Sequence, residues 1–409
     1  MFVISATAFL DRVNISVAGK ALETEFGLSD IQFGWIASAF VAGYALFQAP
    51  AGRIADRFGP RVVIGLGTVW WGVFTALTGL VPSTLAWSLG LLMATRFALG
   101  IGESVVYPAG NRFVASWIPV RERGLANGLI FAGVGAGAGL SPPIVVAVMS
   151  RYGWRASFWL SALIGLAAGA IWYALCRNKP KEHPWISEDE LQVIQSGLPV
   201  TSSLQRPLPW KRILADRNLA ALTFSYFTFG YAAYMFFTWF FIYLNSVRGL
   251  NLKSSAFYGT LPFIAMAICS PLGGWISDHL SRRFGMRRGR CAVAGCAIAV
   301  AAVFIALGPH AQDPRLASIV LAGGAGALYV SQSMFWSVTS EIAGASSGAV
   351  SGVMNMGNQI GGVITASLSP WIAREFGWTA SFAAAAALCL VGGLAWTLVR
   401  PDQAIKENN

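Results

Sequence analysis

Residues 31–77 read IQFGWIASAFVAGYALFQAPAGRIADRFGPRVVIGLGTVWWGVFTAL. Two apolar runs flank a short loop, Gly52-Arg53-Ile54-Ala55-Asp56-Arg57-Phe58-Gly59-Pro60-Arg61, in which three arginines and one aspartate are gathered. Each run is about 20 residues long, the length an α-helix needs to cross the hydrocarbon of a bilayer. Charge is confined to the loop, so the solvent around these helices is apolar.

The same punctuation continues along the chain. Spans are predicted at 1–19, 31–51, 62–81, 84–108, 124–148, 155–175, 218–246, 255–277, 290–308, 315–340, 346–372 and 379–399. The 409 residues are 55% hydrophobic and 11% charged, with a mean hydropathy of +0.58. A soluble globular protein carries about 25% charged residues. The expected fold is therefore an all-α membrane protein of twelve transmembrane helices. One long polar stretch, 176–217, divides it into an N-terminal six-helix bundle (1–175) and a C-terminal one (218–400), with a tail at 401–409. A short acidic helix is predicted inside the linker, from Ser187 to Gln195.

The net charge of +11 does not point to nucleic acid, because the basic residues lie in short loops rather than on one face of a soluble domain. Of the 29 lysines and arginines, seven (Lys20, Arg151, Arg155, Arg248, Lys253, Arg315 and Arg374) fall on one side. Apart from Arg12 and Arg96, the other 20 fall on the side of the linker. That excess makes the linker side cytoplasmic, with both termini inside, and a bacterial inner membrane is the expected location. The first apolar stretch reads as a membrane helix, not as a cleavable signal peptide. Only ten residues precede Asp11, so this helix is expected to be short at its cytoplasmic end or to begin upstream of residue 1.

An internal repeat fixes how the halves are related. Shifted by 224, Gly124, Gly128, Gly133 and Gly137 fall on Gly348, Gly352, Gly357 and Gly361. Gly153-Trp154 falls on Gly377-Trp378, and Ala156-Ser157-Phe158 on Ala380-Ser381-Phe382. An even number of spans separates the copies, so they share orientation and the symmetry axis runs along the membrane normal. A solute site between such halves is the expected arrangement. Rows of glycine permit close helix approach, and serve either packing or hinge motion.

All charged side chains fall in loops or near helix ends except four: Asp11, Arg12, Arg96 and Glu103. An ionised residue at the centre of a bilayer costs about 2.5–3.5 kcal/mol on insertion scales. Arg96 and Glu103 are seven residues apart, two helical turns, and so share a face, and Gly100 between them is expected to leave room for another group. The signs balance, which allows mutual pairing. A static salt-bridge network is one reading. The functional reading assigns Arg12 and Arg96 to a substrate carboxylate, which a guanidinium can hold bidentately, and Asp11 and Glu103 to protons. Protonation of Glu103 would release an arginine for substrate, which couples the two ligands through one shared partner. Polar stripes supply further lining candidates: Tyr44 and Gln48; Tyr231, Tyr234 and Thr238; Ser333, Trp336, Ser337 and Ser340; Asn355, Asn358 and Gln359.

The loop at 52–61 resembles the G-x-x-x-D-R-x-G-x-R signature of the major facilitator superfamily. A degraded second copy reads Gly274-Trp275-Ile276-Ser277-Asp278-His279-Leu280-Ser281-Arg282-Arg283. The resemblance implies a conformational latch of Gly52, Asp56, Arg57, Gly59, Arg61 and Asp278. Within the superfamily the chain is similar to the anion:cation symporters, through Asp11 to Ala18, Arg96 to Glu103, Tyr107-Pro108, Asn111-Arg112, Trp117-Ile118-Pro119, Phe237 to Phe240, Trp336-Ser337 and Asn355. That likeness implies proton-coupled symport of an organic carboxylate, with Tyr44, Ser333, Trp336 and Asn355 joining the arginines at the substrate. Two departures, Val134 and Phe335, replace polar positions of the sugar-acid group and widen the candidates from sugar acids to aromatic or short-chain acids.

No cofactor is expected beyond a proton gradient, and the expected partners are a small organic anion, protons and the bilayer, with a monomer as the working unit. A proton-independent exchanger or facilitator is the alternative. A nutrient sensor is disfavoured by the short tail. An enzyme is disfavoured too: the histidines (His183, His279, His310) lie in separate loops and the five cysteines lack metal spacing.

Overall fold

The computed structural model describes residues 1–199 and 207–405. Residues 200–206 of the predicted linker and 406–409 of the predicted tail lie outside the described residues. The chain forms α1 (Phe2–Phe26), α2 (Asp30–Phe58), α3 (Pro60–Thr78), α4 (Ser88–Glu103, resuming as Val106–Trp117), α5 (Arg123–Tyr152) and α6 (Trp154–Leu175). After the linker come α7 (Arg217–Tyr234, running on through π-helical turns at Met235–Trp239 and Tyr243–Val247), α8 (Leu252–Phe284) and α9 (Val293–Leu307). The last three are α10 (Pro314–Val330, resuming as Gln332–Ala343), α11 (Ser347–Phe376) and α12 (Trp378–Ala395).

Among the described residues, eleven stretches are long and apolar enough to cross a membrane, and one of them, Pro314–Phe376, holds both α10 and α11, joined by a turn at Gly344 with φ 51°. The twelve predicted spans are therefore all present. Inside the linker, the predicted acidic helix runs over Glu188–Gly197, and the Ser187 hydroxyl caps it by accepting from the Glu190 amide at 3.2 Å.

Several helices overrun their predicted apolar segments, although α3 ends at Thr78 and α12 at Ala395, short of the predicted 81 and 399. α1 continues to Phe26 and ends at Gly27 in the left-handed region (φ 63°), well beyond the predicted residue 19. Hydropathy locates the part of a helix that lies in lipid, whereas helical hydrogen bonding continues past it into water. The overrun is anchored: Glu25 pairs with Arg155 at 2.6 Å and accepts from the Trp154 indole at 2.7 Å, tying α1 to α6.

The sequence repeat is a repeat of packing. A Cβ on Gly124 or Gly128 would strike Gly274 or Ser270 of α8, while one on Gly133 or Gly137 would strike Phe2 or Ala6 of α1. The copies do the same. Gly348 and Gly352 abut Gly52 and Gln48 of α2, and Gly357 and Gly361 abut Thr223 and Phe227 of α7. Each six-helix half thus lends its fifth helix as a backbone-to-backbone seam against the other half, and close glycine contact is what lipid-embedded helices use in place of hydrophobic burial.

The seam is sealed at the end that bears the linker. There Asn111 donates to Thr339 Oγ1 at 3.1 Å, Asn127 to Ser337 Oγ at 3.2 Å, Arg123 to the Ser340 carbonyl at 3.2 Å and Arg290 to the Val120 carbonyl at 2.9 Å. Among the described residues, no hydrogen bond joins the two halves at the opposite end.

Candidate functional site

The four mid-span charged residues meet. Arg12, on α1, donates from Nε to Glu103 Oε2 on α4 at 2.8 Å; Glu103 is wholly buried and the Arg12 side chain keeps 13% exposure. Arg96, two turns before Glu103, is 1% exposed, and its Cζ stands 5.1 Å from the centre of the Phe40 ring. The Arg12 guanidinium lies over Tyr44 at 4.1 Å, Phe9 at 4.9 Å and Phe40 at 5.3 Å. Asp11, adjacent to Arg12, is also buried and turns toward Thr75, without closing a hydrogen bond to it.

The local fold explains this meeting. Gly100, between Arg96 and Glu103, leaves no gap for a ligand; the α2 backbone at Phe40 and Tyr44 occupies the space beside it. That close approach brings the Phe40 and Tyr44 rings up to the two arginines. α4 then breaks in a turn at Ser104 immediately after Glu103, as α10 breaks at Ser331 just before Ser333. Interruptions of membrane helices sit where backbone lines a protein interior.

Several buried polar atoms of the cluster lack partners: Arg12 Nη2, Arg96 Nε and Nη1, Glu103 Oε1 and both carboxylate oxygens of Asp11. Buried guanidinium donors are costly to leave unpaired.

The second half contributes neutral groups. Asn355 donates to Gln48 Oε1 at 2.9 Å across the seam. Trp336 donates to Tyr226 at 3.0 Å and packs against Tyr107 and Phe131, with centroids at 5.7 and 5.3 Å. Tyr107 is in turn bonded to Ser5 at 2.9 Å. Tyr234 donates to Gln359 at 2.8 Å. Ser333 is fully buried, with its hydroxyl toward Met334 Sδ at 3.2 Å; among the described residues nothing joins it to the arginines.

At the linker end, both repeated aspartates cap the fifth helix of the opposite half. Asp56 accepts from the Gly348 and Ala349 amides at 2.9 and 2.8 Å, and Asp278 from the Gly124 and Leu125 amides at 3.0 and 2.7 Å. Carboxylates at helix N-termini are favoured by the orphan amides and the helix dipole. The arginines expected of the latch are elsewhere. Arg57 lies over Phe58, and Arg61 donates to the Tyr173 carbonyl at 2.9 Å. Asp56 has instead Arg112 of α4, at 3.9 Å. Gly52 meets Gly348, and Gly59 takes φ 87° to end α2 against Asn178.

The profile of the Major Facilitator Superfamily matches residues 1–366. The chain belongs to the Major Facilitator Superfamily. It is 33% identical to the probable sulfoacetate transporter SauU of Cupriavidus necator, over 96% of this chain and 91% of that one. It is 32% identical to the chloroplastic ascorbate transporter of Arabidopsis thaliana, over 97% and 73% of the two chains. Its fold matches the proton:xylose symporter XylE with a TM-score of 0.75 at 14% identity, over 99% of this chain and 96% of that one. The protein is thus a multi-pass membrane transporter of the twelve-helix major facilitator fold, and not an enzyme.

In the transporter, sequence reasoning missed one charged network. The second loop copy, degraded as a motif, is the more fully paired. Arg290 holds Asp278 at 2.6 Å and Glu341 at 3.1 Å, with all three side chains shielded from solvent. Arg290 lies outside the signature, on the π-helical turn Arg287–Ala292 before α9, and Glu341 sits near the end of α10. Position near a helix end made both look solvated. The available signal was the pairing of Asp278 with any arginine one helix hairpin away.

Proposed function

We propose that this transporter moves an organic carboxylate anion together with protons by alternating access. The observation that carries the reading is the set of unpaired guanidinium donors on Arg12 and Arg96 beside a glutamate that already holds one of them. Arg12 and Arg96 receive the carboxylate. Glu103 competes with it for Arg12, and Asp11 is the second proton site. When Glu103 is protonated, its claim on Arg12 weakens and the anion can take its place; release of the anion favours loss of the proton. Tyr44, Asn355 and Trp336 orient the substrate, and Ser333 is a more distant candidate. Relatives named for sulfoacetate and ascorbate support an anionic cargo.

On this reading the linker and both termini face the cytoplasm, which the charge asymmetry of the loops supports; the membrane is a bacterial inner membrane and a single chain is the working unit. On that orientation the sealed end is cytoplasmic and the conformation faces outward. The latch aspartates, holding the α5 and α11 N-termini, stabilise it. The test is uptake of a radiolabelled organic acid into proteoliposomes under an imposed inward proton gradient. Accumulation that a protonophore abolishes supports the reading; uptake indifferent to the gradient overturns the coupling and leaves a facilitator or exchanger.

A further inference from the structure

The groups near Arg12 differ in kind from those that would read a sugar acid. Phe9, whose ring lies 4.9 Å from the Arg12 guanidinium, meets Phe237 of α7 at 5.8 Å between centroids, and Phe237 meets Phe263 of α8 at 5.3 Å. These three part-buried rings come from three helices of both halves and form one continuous apolar wall that starts at the cation. Tyr234 closes its flank, 5.9 Å from Phe237. Most of the polar groups suited to hydroxyls are already engaged with one another, Asn355 with Gln48, Tyr234 with Gln359 and Ser337 with the Ser333 carbonyl, and Gln48 Nε2 and Asn358 Oδ1 stay open. A polyhydroxylated body would have to break those bonds while lying against phenyl rings, whereas a flat apolar body would gain ring contact at centroid separations of about 4.5–7 Å.

We propose that the site selects a monocarboxylate with an aromatic body: the carboxylate on Arg12, the ring against Phe9, Phe237 and Phe263. This rests on the reading of Arg12 as the anion's anchor. A bare short-chain acid would satisfy the cation and leave the wall bare, and a sugar acid would satisfy neither the wall nor the occupied amides.

The test is ligand-induced thermal stabilisation of the purified full chain, titrated with phenylacetate, acetate and galactonate. Phenylacetate is expected to bind at least about tenfold more tightly than either of the others, in line with what a well-fitted apolar contact contributes to discrimination. Phe237→Ala and Phe263→Ala should each weaken phenylacetate several-fold and leave acetate unchanged. Tyr173→Phe, remote from the wall, should change neither. Equal binding of acetate or galactonate to that of phenylacetate overturns the aromatic assignment and leaves the anion reading standing. Phenylacetate binding that survives Arg12→Ala at full strength, or a response to none of the three acids, takes down the anchor and the aromatic assignment with it.

Discussion

The two halves of this transporter share a scaffold and differ in charge. The fifth helix of each half carries the same glycines, makes the same seam with the other half, and receives the same aspartate at its N-terminus. Yet all four mid-span charged side chains belong to the first half, as Asp11, Arg12, Arg96 and Glu103, while the second half faces them with Tyr234, Trp336 and Asn355. Duplication supplied the moving parts; divergence then placed the chemistry on one side. A half that is neutral at mid-membrane, with its buried ions confined to the linker end, carries no charge of its own at the bilayer centre, where each costs about 2.5–3.5 kcal/mol.

The largest effect tests the charged side. Arg96→Ala removes one of the two cations assigned to the carboxylate and leaves Asp11 and Glu103 with one fewer buried positive charge nearby. Uptake should fall below detection, with the fold monitored by size-exclusion profile. Retained uptake would mean the cluster is glue.

The latches come next, because here the halves differ within their common frame. Asp278 is paired with Arg290 at 2.6 Å, whereas Asp56 has Arg112 only at 3.9 Å. Asp278→Asn is expected to destabilise the sealed end by about 3–5 kcal/mol, against about 1–3 kcal/mol for Asp56→Asn, which loses chiefly charge-assisted bonds to amides. Alkylation of a cysteine introduced at Ser340, buried at that end, reads the opening. Equal labelling of the two variants would erase the distinction.

A smaller effect separates seam from lipid face. Gly124→Val pushes a side chain into Gly274 and the Asp278–Arg290 pair, and overpacking of this kind costs about 1–3 kcal/mol. Gly139→Ala meets open space and should change thermal stability by no more than about 0.5 kcal/mol. The smallest effect belongs to Ser333→Ala, since that hydroxyl reaches only Met334; transport should change by about 0.5 kcal/mol or less. A tenfold loss would bring Ser333 into the substrate's path.

How much of this was legible in sequence follows from range. The spans, the repeat and the isolation of Asp11, Arg12, Arg96 and Glu103 are local properties, readable from hydropathy, spacing and charge. Of the rings around Arg12, Tyr44 was legible from its stripe with Gln48, whereas Phe9 and Phe40 were not, because helix packing brings them to the cation and each alone looks like another apolar residue in an apolar helix. Gly100 shows the limit well: the spacing suggested room for a group on the Arg96–Glu103 face, whereas the room is taken by the α2 backbone. Arg290 and Glu341 escaped for the opposite reason, since burial at a helix end depends on what the other half places over it.

The central claim is that Glu103 carries the proton whose binding frees Arg12 for the anion. The most direct measurement compares net accumulation with one-for-one exchange in proteoliposomes containing Glu103→Gln. Exchange that persists while gradient-driven accumulation disappears is the predicted result. Accumulation equal to that of the unmodified protein would contradict it.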